Sequence, residues 1–156
     1  MATKVCVMGV LPDMDLNVLQ EGVLIEAIID TRTQIDFIWQ VFISVHIALF
    51  ALVFLYSEAV DRWNLLARLF ALAGVALFEW INGKALSQTY LLLDAMQDQY
   101  RFLYGQVERF QPKFYEHFVL AQYADRPDMV LITHGMAFGA VFVVLVARQV
   151  IHRAAN

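Results

Sequence analysis

Apolar residues in this chain gather into three blocks, Ile35–Tyr56, Leu65–Ile81 and Met129–Ile151, and each block reads as a membrane-spanning helix. At helical rise the first covers ~33 Å, enough for a hydrocarbon layer of ~30 Å. The second reaches only ~26 Å, so it stands upright or borrows Trp63 and Asn82. The third follows Arg126-Pro127-Asp128, where proline suits a first helical turn. Aromatic placement agrees with these ends. Trp39, Trp80 and Tyr90 fall at one interface, and Tyr56 and Trp63 at the other, as membrane aromatic belts do.

The stretches between the blocks carry patterns of their own. In the N-terminal segment, residues 1–34, an amphipathic helix is predicted over Asp13–Gln34. Asp13 or Asp15 caps it, Leu16, Leu19, Val23, Ala27 and Ile28 lie along one side, and Glu21, Glu26 and Asp30 along the other. A short polar link, Ser57–Asn64, joins the first two spans. Residues 82–128 form no loose loop. Leu86, Tyr90, Leu93, Met96, Tyr100, Leu103, Val107 and Phe110 recur at steps of three and four. A helix over Lys84–Gln111 therefore continues the second span, Pro112 breaks it, and Lys113–Tyr123 leads back. The result is an extramembrane helical hairpin with an aromatic seam of Tyr100, Phe102, Tyr104, Phe110, Phe114, Tyr115 and Phe118. Such a surface needs cover, from the N-terminal helix or from another subunit. Residues 152–156 form a C-terminal tail. The predicted fold class is an all-α membrane protein with three transmembrane helices, an N-terminal amphipathic helix and a helical hairpin between spans two and three.

Composition agrees with that class: 60% of residues are apolar and 17% charged, with a mean hydropathy of +0.58. A soluble domain sits near about 45–50% and about 25%. A net charge of −4 with scattered Lys and Arg argues against nucleic acid as a partner. The lone cysteine, Cys6, excludes an internal disulfide and a multi-cysteine metal site. Val5–Leu11 is apolar but too short, and wrongly flanked by Pro12-Asp13, for a signal peptide.

Orientation rests on basic residues near span ends. Arg148, His152 and Arg153 give the C-terminus a cytoplasmic character, which puts the N-terminus and hairpin outside. Raw counts oppose this, because Lys4, Arg32, Lys84, Arg101, Arg109, Lys113 and Arg126 share the hairpin side. The expected setting is a bacterial inner membrane.

Ionisable side chains inside a bilayer each need a reason. Asp36, Gln40 and Ser44 follow one another on a helical face that Arg32 extends outward. The plain reading is an Arg32–Asp36 pair with Gln40 and Ser44 bonding to another helix. The sharper one is a pore-lining stripe or proton relay. Asp36, Glu79 and His134 share a depth and include ligand types suited to a divalent metal. His46 and His134 are the candidates for axial haem ligands. Counted from the span ends, however, they differ in depth by ~9 Å, which disfavours haem. Asp94, Asp98, Glu116, His117, Asp125 and Asp128 offer a second carboxylate–histidine set in the hairpin, or simply a solvated acidic face. Gly135 and Gly139 make a small-x-x-x-small seam, and Ala67, Ala71 and Gly74 a second smooth strip, both suited to close helix packing.

No Gly-rich phosphate loop, His-Glu-x-x-His, Cys-x-x-Cys or Gly-x-Ser-x-Gly occurs, and the sequence specifies no cofactor. The favoured expectation is a non-catalytic subunit or assembly partner of a larger membrane complex. Its partners are the lipid bilayer and other membrane subunits or copies of itself. A homo-oligomeric channel or small transporter built on the helix-1 stripe is the first alternative. A metal- or haem-bearing redox subunit is the second.

Overall fold

The computed structural model describes residues 20–155, with side chains described up to Val146. Cys6, the caps Asp13 and Asp15, Leu16 and Leu19, and the side chains of Arg148, His152 and Arg153 lie outside the described residues. Three long helices dominate: α1 (Glu21–Leu55), α3 (Leu65–Tyr104) and α5 (Arg126–Ala155). A single helical turn, α2 (Ser57–Asp61), sits in the link between the first two. The return from α3 to α5 passes through a 3₁₀ turn (Val107–Arg109), α4 (Pro112–Phe114) and a π-helical turn (Tyr115–Val119). Among the described residues there is no strand. Each of the three long helices is long and apolar enough to cross a membrane.

Two boundaries differ from the expectation. The N-terminal amphipathic helix and the first span are one helix, because no proline or glycine interrupts the chain between Val23 and Leu55. Its inward line is Leu24, Ile28, Thr31 and Ile35, whereas Val23 is half exposed. Likewise α3 continues the second span as expected but ends at Tyr104, not Gln111. Gly105 supplies the stop, since a Cβ there would collide with the Arg101 carbonyl. At the other end the Asn64 side chain accepts a hydrogen bond from the Ala67 amide at 2.8 Å and caps α3. The third span also begins earlier than Met129, at Arg126, and helix continues through most of the expected tail, to Ala155.

Buried positions recur at steps of three, four and seven on α1, α3 and α5, the spacing of helices packed at shallow angles. Helix α3 is central and packs against both neighbours. Two apolar clusters result. The outer one joins Leu24, Ile28, Ile35, Leu86, Leu93, Tyr100, Val119 and Val130, and the inner one joins Val53, Val60, Val75, Val141 and Leu145. The N-terminal half of α1 thus covers the aromatic surface of the hairpin from within the chain.

The returning segment is bound to α3 by side chains reaching its backbone. Asp94 Oδ1 accepts from the Tyr123 amide at 2.6 Å, and Gln97 Nε2 donates to the Phe118 carbonyl. Arg101 donates to the carbonyls of Val119 and Ala121, each at 3.1 Å. Tyr100 is fully buried, and its hydroxyl donates to Glu21 Oε1 at 3.0 Å. Glu21 Oε2 in turn pairs with Arg109 at 3.0 Å, which fastens the start of α1 to the hairpin.

Candidate functional site

Between the two apolar clusters lies a polar layer contributed by all three long helices. His46 comes from α1, Glu79 and Asn82 from α3, and His134 from α5, and all four are at most 8% exposed. His46 Nε2 stands 2.7 Å from Glu79 Oε1, and His134 Nε2 stands 4.0 Å from Glu79 Oε2. His134 Nε2 is also 2.9 Å from Asn82 Oδ1. The Phe42 ring fills the space beside both imidazoles, with centroids 4.3 Å from His46 and 4.4 Å from His134.

Each ring is anchored by its other nitrogen. His46 Nδ1 lies 2.8 Å from the Phe42 carbonyl and His134 Nδ1 2.9 Å from the Val130 carbonyl, each one turn back on its own helix. A carbonyl only accepts, so both Nδ1 atoms carry hydrogen and both Nε2 atoms point into the layer. Gly83 makes room for the second ring: a Cβ there would lie 3.2 Å from His134 Cδ2. Glycine is required at this position by the close approach of a ring, not by backbone conformation. Glu79 is close to His46 but not aligned as a hydrogen bond, and both its oxygens are buried without one. Burying polar groups among apolar helices without full hydrogen bonding costs free energy, so such a layer is not neutral filling.

Some residues predicted to act together are apart here. Asp36 is exposed and lines a surface hollow of about 230 Å³ with Arg32, Ile35, Tyr90, Leu93 and Tyr123. It therefore does not join Glu79 and His134, and the expected Asp36–Glu79–His134 metal set is not assembled. Neither depth nor face is shared: Asp36 lies ten residues before His46 on α1, about 15 Å along the axis and roughly 80° around it, beside Tyr90 and Tyr123 rather than Glu79. Among the described residues, no group of three or more His, Cys, Asp or Glu side chains is arranged to hold a metal ion. In the hairpin, Asp94 holds the Tyr123 amide, Asp98 pairs with Arg101 at 3.0 Å, and Glu116, His117, Asp125 and Asp128 are exposed.

The haem pair is corrected differently. His46 and His134 are close to level, because α5 begins before Met129 and α1 begins well before Ile35, so hydropathic ends misjudged their depth. The Glu79 carboxylate, however, stands against both. The apolar cavity of about 330 Å³, lined by residues such as Phe50, Trp63 and Gly74, has neither histidine in its wall.

No ion pair joins Arg32 to Asp36. The Arg32 guanidinium lies instead over the rings of Phe118 and Tyr123, at 5.1 and 5.6 Å. Asp36, Gln40 and Ser44 are all exposed on the outside of the three-helix packing, and no hydrogen bond within the chain engages them. The small-residue strips are not packed against another helix: Ala71 and Gly74 line the apolar cavity of about 330 Å³, and Gly135 points into open space. Added Cβ atoms at Gly74, Gly135 and Gly139 would meet nothing within 4 Å, Ala67 is exposed and Ala71 half-buried.

Sequence reasoning missed Arg68 and Asn82. Arg68 is 4% exposed and donates to the carbonyls of Leu145, Val60, Asp61 and Trp63, the first at 2.6 Å, tying α2, α3 and α5 together at the far end. Buried polar groups need hydrogen-bond partners, and four carbonyls supply them here. No protein-family model, curated protein or solved structure matches this chain.

Proposed function

We propose that this chain is a non-catalytic integral-membrane subunit that assembles with another membrane protein through the outer face of α1. One observation carries the reading: Asp36, Gln40 and Ser44 line up on a helix apolar enough to cross a membrane, all exposed and none hydrogen-bonded within the chain. Lipid tails offer such groups no hydrogen bonds. A transmembrane helix with polar side chains of its own does, and hydrogen bonds of this kind join helices in bilayers. The Gly135/Gly139 strip, where an added Cβ would meet nothing within 4 Å, supports close approach of a further helix. Only 17–22% of each apolar stretch is buried, which leaves most of the surface for lipid and partners. The proposed setting is a bacterial inner membrane with the hairpin outside and the C-terminus cytoplasmic.

Purification from native membranes in mild detergent tests the assignment. A distinct partner is expected to accompany the chain and to be lost with Asp36→Leu/Gln40→Leu, while the variant remains folded. A chain that always purifies alone defeats the proposal. The outward stripe also favours a second reading, a pore formed where several copies present α1 to one another. Crosslinking between cysteines placed at position 40 of two copies, together with ion flux in liposomes altered by Asp36→Asn, would select that reading. No flux from the unsubstituted chain would remove it.

A further inference from the structure

We infer that His46, Glu79 and His134 form a proton-binding site in the interior of the helix packing, with one proton carried by the His46–Glu79 pair and a second accepted at His134. The argument is a count of hydrogens. Both Nδ1 atoms donate to backbone carbonyls, at 2.8 and 2.9 Å, so a neutral ring has only a bare lone pair at Nε2. His46 Nε2 and Glu79 Oε1 are 2.7 Å apart. Two bare lone pairs repel at that distance, so one of the two atoms carries a proton. The pair is either imidazolium with carboxylate or imidazole with carboxylic acid, and its net charge is zero in both.

His134 differs. Its Nε2 faces the Asn82 side-chain amide at 2.9 Å, and an amide can turn to offer either oxygen or N–H. A neutral His134 is therefore satisfied by an Asn82 N–H, and a protonated one by the Asn82 oxygen and by Glu79 Oε2 at 4.0 Å. Asn82 lets the second imidazole exist in both states without an orphaned group. It also lines an otherwise apolar cleft of about 230 Å³ between α1 and α3, with Phe37, Ile38, Val41, Phe78, Ile81 and Ala85.

Among the described residues, no other titratable group faces the site. From α1 it is His46 alone, from α3 Glu79, and from α5 His134, with Phe42 and Phe78 completing the wall. Arg68 is engaged by carbonyls elsewhere, and Asp36 and Lys84 are exposed. Taking up the second proton moves the site from zero to +1 in a layer where α3 meets both neighbours, so proton binding and helix packing are linked here.

The test is spectroscopic, on the full chain labelled with ¹⁵N-histidine in lipid nanodiscs, compared with Glu79→Gln. At neutral pH the parent chain is expected to show an imidazolium at His46 or a protonated carboxyl stretch that disappears in Glu79→Gln. In the variant an amide N–H donates to His46 Nε2, so His46 becomes neutral with hydrogen on Nδ1. On acidification, His134 is the buried histidine that gains a proton. An ionised Glu79 beside a neutral His46 in the parent chain overturns the inference, and so does acidification that leaves His134 neutral. The parent spectra decide the question even where the variant fails to fold.

Discussion

On α1, His46 and the Asp36–Gln40–Ser44 line are polar positions of one apolar helix, yet their surroundings are opposite. His46 is 7% exposed and meets a carboxylate from α3 at 2.7 Å. The line lies roughly 80–160° around the helix, faces outward and has no partner in the chain. The inner group is completed by this chain's own helices, so its loss should be felt as instability. The outer groups are incomplete, so their loss should be felt only in association. That difference separates what the chain needs to fold from what it offers to others.

The largest effect is expected from the inner set. His46→Leu leaves a buried carboxylate facing no proton donor, and breaking a buried pair from one side costs about 3–5 kcal/mol. Glu79→Leu should cost a similar amount, while the double substitution should recover most of it, because no group is then orphaned. Unfolding in detergent, run as a double-mutant cycle, measures the coupling. Strictly additive losses would show that the two side chains are independent and would dissolve the contrast with the outer line.

A smaller loss is expected at Gly83. A methyl there presses on His134, whose ring is fixed at both nitrogens and has little freedom to yield. Overpacking of this kind costs about 1–3 kcal/mol. Gly135→Ala and Gly139→Ala, which point into open space, should lose nothing by the same thermal measurement. Equal losses at the three glycines would mean that the outward seam is packed after all.

These two contrasts also show what the sequence could and could not reveal. The three apolar blocks and the continuation of the second into a longer helix follow from hydropathy and heptad spacing, whereas the sequence left the cover of the hairpin open between the N-terminal helix and another subunit. Candidate residues were legible one at a time: His46, Glu79 and His134 each stood out as ionisable groups in apolar stretches. Their grouping was not, because helix register depends on packing. Counting from hydropathic ends misplaced α5 against α1, as α5 begins at Arg126 and α1 runs unbroken from Glu21. Asp36 was paired with Glu79 on an assumed common depth, yet it stands about 15 Å along α1 from His46, the residue that does meet Glu79. Asn82 and Gly83 carried no signal, since an amide and a glycine at a span end look like a boundary. Arg68 was visible only as a basic residue near a span end.

Outside the apolar layer, the Tyr100–Glu21 contact ties the far end of the hairpin to the start of α1 and gives a pH signature. Burial, reinforced by the Glu21 carboxylate, pushes Tyr100 up from 10.0 to about 12. An unfolded tyrosine releases its proton near about pH 10. This contribution is therefore complete below that pH and is lost as the pH rises through about 12, because the unfolded chain ionises first. Tyr100→Phe should flatten this alkaline slope while removing one hydrogen bond, about 1 kcal/mol. Melting curves across that window check both. An unchanged slope would mean that the alkaline loss does not arise from Tyr100.

The smallest effect on folding, and the most informative one for function, is expected from the outer line. Asp36→Leu, Gln40→Leu and Ser44→Leu replace exposed groups without partners, so each should leave stability within about 0.5 kcal/mol of the parent. Solubility in lipid should improve, because no polar group then faces hydrocarbon. Association should fail in the same variants, read as loss of the co-purifying protein or of the crosslinked copy. A fold weakened by several kcal/mol would instead mean that the line is satisfied inside the chain. The division between an inner set that folds the protein and an outer set that recruits a partner would then collapse into a single network.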